Sequence, residues 1–252
     1  MKLPLFLLSF IVSFNQAISQ RPIDSWKSYS VPVGDEVFKY NSDSSWFVSL
    51  DSKGQVVVEN KIGRFPTVDS LPFKPYFDTI QPYRFRGFRT VKKVDNGYLF
   101  GFNKGEFGGS LHWFSPTGDS TYKISNGLVN YIFENRGKIF IAHGLAHLGS
   151  DDGGINEMVF TLGKWKIDKG VDIKYSPQVF LPLNNQILIV TSETILLFKR
   201  LQKIKYIKKK GFWDILYPQS AVLFNDELYV GMRGGVYKIN LKSGKEEWLR
   251  SR

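Results

Sequence analysis

Three side chains near the middle of this sequence have the chemistry to move protons. Glu106 lies in the glycine-rich stretch 105–109, and His143 and His147 follow it. A carboxylate and an imidazole held close together can act as general acid and general base. If the protein is an enzyme, we predict a hydrolase, lyase or cyclase that uses Glu106 and His147. The alternative for Glu106 is a tight turn, in which glycines supply positive φ and the glutamate caps a backbone amide.

The same histidines precede two acidic residues, Asp151 and Asp152. Imidazole and carboxylate groups are ligands for zinc and other divalent ions. The glycines around these residues favour a loop, so the four-residue spacing of the histidines does not place them on one helix face. We therefore expect no cofactor. The alternative is a divalent metal ion held by His143, His147 and Asp151.

An arginine and two aromatic residues in the last third of the chain can contact a ligand. Arg233 precedes two glycines, and a guanidinium there can clamp a carboxylate, sulfate or phosphate. The alternative for Arg233 is a salt bridge to a neighbouring part of the fold. The rings of Trp213 and Tyr217 can stack on a sugar or a base, or can lie in the core. Asp214, next to Trp213, is a further candidate binding residue.

A basic run over residues 199–210 is the most visible charge feature. Lys203 and Lys205 alternate with Ile204, as on a half-exposed strand. Such a stripe can bind acidic polysaccharide, lipid or nucleic acid. Lysines on an outermost strand also prevent sheets from aggregating, and we favour this second interpretation.

These residues are positioned by a repeated pattern of short strands and turns. Apolar runs alternate with Gly, Asn, Asp, Ser and Pro, and a polar turn recurs before an apolar strand. The turns are Asp43-Ser44, Asn96-Gly97, Arg136-Gly137, Asn184-Asn185 and Asp226. Their spacing, roughly 40 to 55 residues, is that of four-stranded propeller blades. We predict an all-β fold, a β-propeller of five four-stranded blades; the alternative is a sandwich or an up-and-down barrel.

Each repeat can be divided into strands. The first is irregular, with strands predicted at 36–40, 46–50 and 56–59 and a Pro-rich excursion at 64–89. The second repeat has predicted strands at 91–94, 98–102, 111–114 and 121–124, and the third at 131–134, 139–143, 157–162 and 164–169. The fourth has them at 178–181, 187–191, 195–199 and 205–209, and the fifth at 221–224, 228–232, 236–240 and 246–250. Residues 26–29 are expected to add a strand to the last blade and fasten the ring.

The blade pattern brings the unusual residues to one face. In a four-stranded blade, the loop between the second and third strands and the loop to the next blade open on the same side. The loops predicted on that side are 103–110, 144–154 and 232–235, with 125–128, 172–177 and 211–218 between blades. This face gathers Glu106, His143 at the end of a predicted strand, His147, Asp151, Asp152, Trp213, Asp214, Tyr217 and Arg233. Because function concentrates on loops held by a rigid scaffold, we expect it on this face.

The first residues predict export. Lys2 precedes an apolar run at 3–14, and small residues follow at Ala17 and Ser19. This is the pattern of a secretory signal peptide, here residues 1–19, ahead of a single propeller domain at 20–252; the alternative is an uncleaved anchor. The chain has no cysteine, which excludes disulfides and a lipoprotein anchor. We expect a secreted or periplasmic protein.

Four motifs carry a resemblance to known proteins. They are Gly105-Glu-Phe-Gly-Gly109, Gly144-Leu-Ala-His147, Leu216-Tyr-Pro-Gln-Ser220 and Tyr229-Val-Gly-Met-Arg-Gly-Gly-Val236. As a set they resemble a family of uncharacterised exported bacterial β-propeller-like proteins, over roughly residues 89–249. The resemblance implies a fold and no activity, because fold does not fix function.

The sequence thus favours a binding module that recognises a ligand or protein on its loop face. The alternatives are the acid–base enzyme described above and a surface-attaching protein that uses the basic run. The formal charge of +11 favours anionic partners, such as an anionic polysaccharide. We expect no specific nucleic acid partner, no transmembrane segment and a monomer.

Overall fold

Five antiparallel β-sheets follow one another along the chain. They are seen in a computed structural model that describes residues 21–42, 44–62, 71–76, 87–147 and 149–251. Within most sheets, consecutive strands are neighbours and reverse direction at short turns, which is the construction of propeller blades. The fold is a five-bladed β-propeller, as the repeat predicted.

The N-terminal part of the chain contributes to two blades. Its elements are β1 (Arg21–Pro22), a 3-10 turn (Ile23–Ser25), β2 (Lys27–Tyr29), a 3-10 helix (Gly34–Tyr40), β3 (Ser44–Leu50) and β4 (Val56–Ile62). Blade 1 has the strand order β1-β4-β3 among the described residues. The strands predicted at 46–50 and 56–59 are confirmed.

The strand predicted at 36–40 is wrong, because these residues form the 3-10 helix Gly34–Tyr40. Gly34 has φ +54°, which turns the chain away from an extended path. In a 3-10 helix, residues three apart lie on one face. Val37 and Tyr40 accordingly both pack against the core beside blade 5, while Phe38 between them is exposed.

Blades 2 to 5 are each four consecutive strands. Blade 2 contains β5 (Phe88–Val94), β6 (Gly97–Asn103), a 3-10 turn (Gly105–Phe107), β7 (Gly109–Phe114) and β8 (Thr121–Asn126). Blade 3 contains β9 (Val129–Asn135), β10 (Lys138–His147), β11 (Ser150–Thr161) and β12 (Lys164–Asp172). Blade 4 contains β13 (Pro177–Leu183), β14 (Gln186–Thr191), β15 (Ile195–Arg200) and β16 (Lys203–Lys208). Blade 5 contains β17 (Ser220–Phe224), β18 (Glu227–Met232), β19 (Gly235–Asn240) and β20 (Glu246–Arg250).

Every strand predicted in these four blades overlaps an observed one, but the predicted loop at 144–154 is wrong. β10 and β11 form a long hairpin that pairs as far as His147 and Ser150. The glycines that suggested a loop instead allow close packing: a Cβ on Gly144 would collide with the carbonyl of Asp152, and one on Gly153 with that of Tyr175. His147, Asp151 and Asp152 therefore lie on strands.

Strands from near both ends of the described chain meet in blade 5. β2 pairs with β20, and Ser28 lies opposite Leu249, so the predicted fastening strand is confirmed. Blade 1 also joins blade 5 directly, because Ser45 bridges to Arg233 and the amide of Val48 donates to Ser220 Oγ over 2.8 Å. These contacts hold the first and last blades together.

Aromatic and aliphatic side chains fill the space between blades. Phe133 and Phe140 of blade 3 pack with Phe198 of blade 4. Trp213, which precedes blade 5, packs with Tyr237 within that blade, at 4.8 Å between ring centroids. Because each blade buries its faces on its neighbours, no blade needs to be stable alone, and the ring forms a rigid frame.

Two predicted segments lie wholly or mostly outside the described residues. The signal peptide, residues 1–19, is one of them, and most of the excursion at 64–89 is the other. Within the excursion, Phe73 packs on Phe114 of blade 2, with 5.6 Å between their ring centroids. In the part of the chain that the structure describes, no helix is long and apolar enough to cross a membrane.

Candidate functional site

A cavity of about 510 Å³ opens where the first strands of blades 2 to 5 begin. In a propeller these strands surround the central channel, so the cavity is the mouth of that channel. It lies on the face that the sequence predicted. The residues that line it, called the channel mouth below, are Phe88, Asn103, Asn130, Tyr131, 144–146, 176–180 and 217–221.

The channel mouth combines apolar walls with a few neutral polar groups. Tyr131 of blade 3 stacks on Phe180 of blade 4, with 4.5 Å between centroids and 17° between planes. No Asp, Glu, Lys, Arg or His is among the described residues that line it. Its main polar side chains are four carboxamides from consecutive blades: Asn103, Asn130, Gln178 and Gln219.

The two asparagines are fixed by hydrogen bonds that cross blades. Asn103 Nδ2 donates to Asn130 Oδ1 over 3.0 Å, and Asn103 Oδ1 accepts from the amide of Gly105 over 2.7 Å. Asn130 Nδ2 donates in turn to the carbonyl of Pro177 over 2.8 Å. Blades 2, 3 and 4 are thereby tied together at the channel mouth.

The two glutamines occupy equivalent positions in blades 4 and 5. Each follows a proline at the start of its blade, as Pro177-Gln178 and Pro218-Gln219. Gln178 Nε2 makes a long contact of 3.4 Å with Ser176 Oγ. Gln219 Oε1 is buried and has no hydrogen-bond donor among the described residues. Gln219 therefore retains an unused acceptor beside the cavity. A buried carbonyl without a donor costs about 1–3 kcal/mol of stability.

Asp151, predicted to bind a ligand, contacts the scaffold of the channel mouth instead. Its Oδ1 accepts from the amide of Ser176 over 2.8 Å, and its Oδ2 accepts from Ser192 Oγ over 2.5 Å. Both serines are buried, and the amide of Ser192 donates to the carbonyl of Ser176. A carboxylate of blade 3 thus fixes the start of blade 4, where the lining residues 176–180 lie.

Glu106 and His147, the predicted acid–base pair, do lie together. Glu106 Oε2 is 3.3 Å from His147 Nε2, and both side chains are about half exposed. The glycines play the structural part that was predicted, because Gly105 and Gly108 have φ +62° and +87°. Neither Glu106 nor His147 is among the described lining residues, although Ala146 beside His147 is. The pair lies at the rim, where it bridges blades 2 and 3.

His143 lies within β10 and is half buried. Burial lowers its pKa below the usual value, against the opposing effect of the Asp152 and Asp172 carboxylates and of a hydrogen bond with Asn156. The ring takes the space that glycine leaves at position 154, where a Cβ would collide with His143 Nε2. Asp152 is exposed on the same hairpin. This arrangement is that of a packed, neutral imidazole.

The residues suggested for a metal ion are engaged elsewhere. Glu106 contacts His147, and serines of blade 4 contact Asp151. Across the described ranges, no group of three or more His, Asp or Glu side chains is arranged to hold a metal ion.

Arg233 supports the wall of the channel mouth from behind. Its guanidinium lies 4.5 Å from the centroid of the Tyr217 ring, and its Nη1 donates to Asn41 Oδ1 over 2.7 Å. Its backbone amide donates to the carbonyl of Leu216. The segment before blade 1 therefore offers Arg233 a neutral amide, and among the described residues no carboxylate forms a salt bridge with it. Tyr217, a lining residue with φ +49°, is held between this arginine and the cavity.

The Trp213 ring lies in the core, which is one of the two alternatives that the sequence left open for it. The ring is fully buried, and its Nε1 donates to the carbonyl of Thr191 over 3.0 Å. Two aromatic neighbours, Phe212 and Tyr237, pack against the ring. Asp214 beside it is exposed and is not among the described residues that line the channel mouth.

The basic run lies on the outside of blade 4. β16 is the last strand of its sheet, as predicted, and Lys203 and Lys205 on it are exposed. Lys208 makes an ion pair of 2.5 Å with Glu246 of blade 5. Lys208 therefore connects two blades, while Lys203 and Lys205 are exposed on the outer strand.

Comparisons with known proteins find only distant likenesses. No protein-family model matches the chain, and no curated protein matches it. Among solved structures, a catalytically inactive virginiamycin B lyase from Staphylococcus aureus, solved with quinupristin, is 14% identical with a TM-score of 0.42, over 89% of this chain and 74% of that one. The extracellular domain of a hybrid two-component system from B. thetaiotaomicron is 13% identical with a TM-score of 0.37, over 84% and 26%. The resemblance to exported propeller-like proteins stays a prediction.

The lining residues that the sequence argument missed are the carboxamides. Asn103 and Asn130 meet only in the folded ring, so nothing local marks them. Gln178 and Gln219 carry a signal, because the Pro-Gln pair recurs at the start of consecutive blades. The same alignment of the repeats that located the strands also contains this signal.

Proposed function

We propose that this protein is a binding module that holds a small uncharged ligand in the channel mouth. The observation that carries the proposal is the cavity of about 510 Å³, lined by apolar rings and four carboxamides from consecutive blades. Its volume is within the usual range of ligand sites, about 300–1,000 Å³, and so is its mixture of apolar walls with few polar groups. The predicted signal peptide adds the proposal that binding takes place outside the cytoplasm.

The walls of the channel mouth are held before any ligand arrives. Asn103 and Asn130 are hydrogen-bonded to each other, Asp151 fixes the start of blade 4, and Arg233 backs Tyr217. A site whose groups are already ordered loses less conformational entropy on binding, which favours affinity. This rigidity supports a site made for a ligand.

The charge of the lining selects among ligands. A charged group moved into a mostly apolar cavity without a partner loses its hydration and gains nothing in return. The channel mouth has no charged side chain among its described lining residues. An anionic polysaccharide therefore does not suit it, and such a partner would have to use the exposed lysines of β16.

Blocking the channel mouth tests the proposal. Ala146→Trp places a large ring at the lining, and Thr117→Trp places the same ring on an exposed turn of blade 2 as a control. Isothermal titration calorimetry would follow uncharged peptides, uncharged oligosaccharides and a sulfated oligosaccharide. We expect at least one uncharged probe to bind the wild type and the control, and at least tenfold weaker binding to Ala146→Trp. Equal binding to all three proteins, or no binding by any uncharged probe, would contradict the proposal.

A second candidate function is acid–base catalysis at the rim. The specific observation is the 3.3 Å separation of Glu106 Oε2 and His147 Nε2 beside the lining residue Ala146. A bound ligand that projects from the mouth would meet this pair. Once a ligand is known, Glu106→Gln should abolish its conversion and leave its affinity within twofold. Unchanged turnover in Glu106→Gln would remove the enzymatic alternative.

A further inference from the structure

We infer that the ligand class of the channel mouth is an uncharged, mainly apolar peptide. This inference rests on the proposed function, since it names what the same site binds. It is drawn from three properties of the lining: two equivalent glutamines with spare hydrogen-bonding capacity, ring faces that are already in use, and the lack of charge among the described lining residues.

The glutamines are complementary to a peptide backbone. A carboxamide side chain has one carbonyl acceptor and two N–H donors, and each peptide group offers one acceptor and one donor in turn. Gln178 and Gln219 stand at equivalent positions of adjacent blades, so together they present two such groups along one wall. Gln219 Oε1 has no donor among the described residues. A ligand N–H that meets this oxygen, after a small turn of the side chain, removes the cost of leaving it unpaired.

The aromatic lining favours apolar side chains over a sugar ring. A sugar needs an open ring face on which to lie. Tyr131 and Phe180 stack on each other, and the guanidinium of Arg233 lies over Tyr217. Each of these three rings thus has one face already occupied, and together with Leu145 and Val179 they form apolar walls. Such surfaces gain free energy from burying the aliphatic or aromatic side chains of a peptide.

The neutral lining also defines which part of a peptide fits. A free terminus or an acidic side chain would enter without a counter-ion. The ligand is thus an internal segment of a longer chain, or a peptide with blocked ends. Soluble probes of this kind are acetyl-Ala-Leu-Ala-amide and acetyl-Ala-Phe-Ala-amide.

The test compares Gln219→Leu with a matched control. Gln202→Leu makes the same substitution in an exposed turn between β15 and β16. By calorimetry, we expect both blocked tripeptides to bind the wild type and Gln202→Leu equally, and to bind Gln219→Leu about tenfold more weakly, the effect of one hydrogen bond. The unliganded Gln219→Leu protein should melt no lower than the wild type, because leucine removes an unpaired carbonyl. A free carboxylate in place of the terminal amide should weaken binding at least tenfold.

The outcomes separate this inference from the proposed function. If uncharged cello-oligosaccharides bind and Ala146→Trp blocks them while the tripeptides do not bind, the channel mouth is a ligand site and the peptide inference is overturned. If the tripeptides bind Gln219→Leu as tightly as the wild type, the inference is also overturned. If no uncharged probe binds, both the inference and the proposed function fail.

Discussion

The carboxylate of Asp151 and the backbone amide of Ser176 form a hydrogen bond of 2.8 Å that joins blade 3 to blade 4. The second carboxylate oxygen accepts from Ser192 Oγ, so one side chain fixes two segments of the neighbouring blade. The residues that follow Ser176 line the channel mouth. The shape of the cavity thus depends on a carboxylate that does not line it.

Removal of this carboxylate should destabilise the protein. Asp151→Ala leaves the buried amide of Ser176 and the hydroxyl of Ser192 without their acceptor. Because hydrogen bonds to charged groups contribute about 1.5–3 kcal/mol, we expect a loss of about 2–4 kcal/mol in the free energy of unfolding, measured in urea. Asp119→Ala, in an exposed turn of blade 2, should stay within about 0.5 kcal/mol of the wild type. If Asp151→Ala is as stable as that control, the two hydrogen bonds of Asp151 do not stabilise the fold.

Arg233 and Asn41 should be energetically coupled. Their hydrogen bond of 2.7 Å joins blade 5 to the segment before blade 1. In a double-mutant cycle of Arg233→Ala and Asn41→Ala, we expect a coupling energy of about 0.5–1.5 kcal/mol, as is usual for residues in contact. Arg233→Ala should also weaken ligand binding, because Tyr217 loses the cation that lies over its ring. Strictly additive effects in the cycle would show that the two residues act independently.

His112 should make stability depend on pH. Burial, and secondarily the charge of Lys123, lowers its pKa from 6.5 to about 4. The unfolded chain binds this proton below pH 6.5 and the native state only below about pH 4, so stability falls as the pH drops through that window. Because of this group, the free energy of unfolding at pH 5 is about 2 kcal/mol lower than at pH 7.

The substitution His112→Gln isolates that contribution. Other groups titrate in the same range, so the informative quantity is the difference between the two proteins in urea unfolding at pH 7 and pH 5. Between pH 7 and pH 5, the free energy of unfolding of His112→Gln should fall by about 2 kcal/mol less than that of the wild type. Identical pH dependence in the two proteins would mean that His112 titrates as it does in the unfolded chain.

The Glu106–His147 pair should contribute little to stability. Both side chains are about half exposed, and exposed ion pairs contribute about 0–1 kcal/mol. We expect Glu106→Gln to lower the free energy of unfolding by less than about 0.5 kcal/mol, with the difference vanishing in high salt. A loss as large as that of Asp151→Ala would make the pair a structural clamp and weaken the case for catalysis.

The blades were predictable because their signals are local. Turn residues such as Asn96 and Asn184 recur before apolar runs, and the spacing of the runs gives the strands of blades 2 to 5. The fastening strand β2 was also predictable, since a ring of blades needs its ends joined. The prediction of a strand at 36–40 is wrong because the spacing of its apolar residues also fits one face of a 3-10 helix. The sequence does not show the core against which these residues pack.

The candidate site was only partly predictable, because its parts meet through the ring. A cavity opens on the face where the loops were predicted, and Glu106 and His147 lie close together. Gly144 and Gly149 suggested a loop. The sequence does not show that the backbone of Asp152 lies so close to Gly144 that only glycine fits there on a strand. For the same reason the sequence did not show that Asp151 contacts two serines of blade 4.

The most direct test of the account is to map a bound probe onto the ring. In nitrogen-15 NMR spectra, titration with acetyl-Ala-Leu-Ala-amide should shift most strongly the side-chain amides of Gln178 and Gln219 and the backbone amides of residues 144–146. These groups line the channel mouth in three consecutive blades. Shifts confined to β16 around Lys203 and Lys205, with none at the channel mouth, would contradict the claim that this cavity is the binding site.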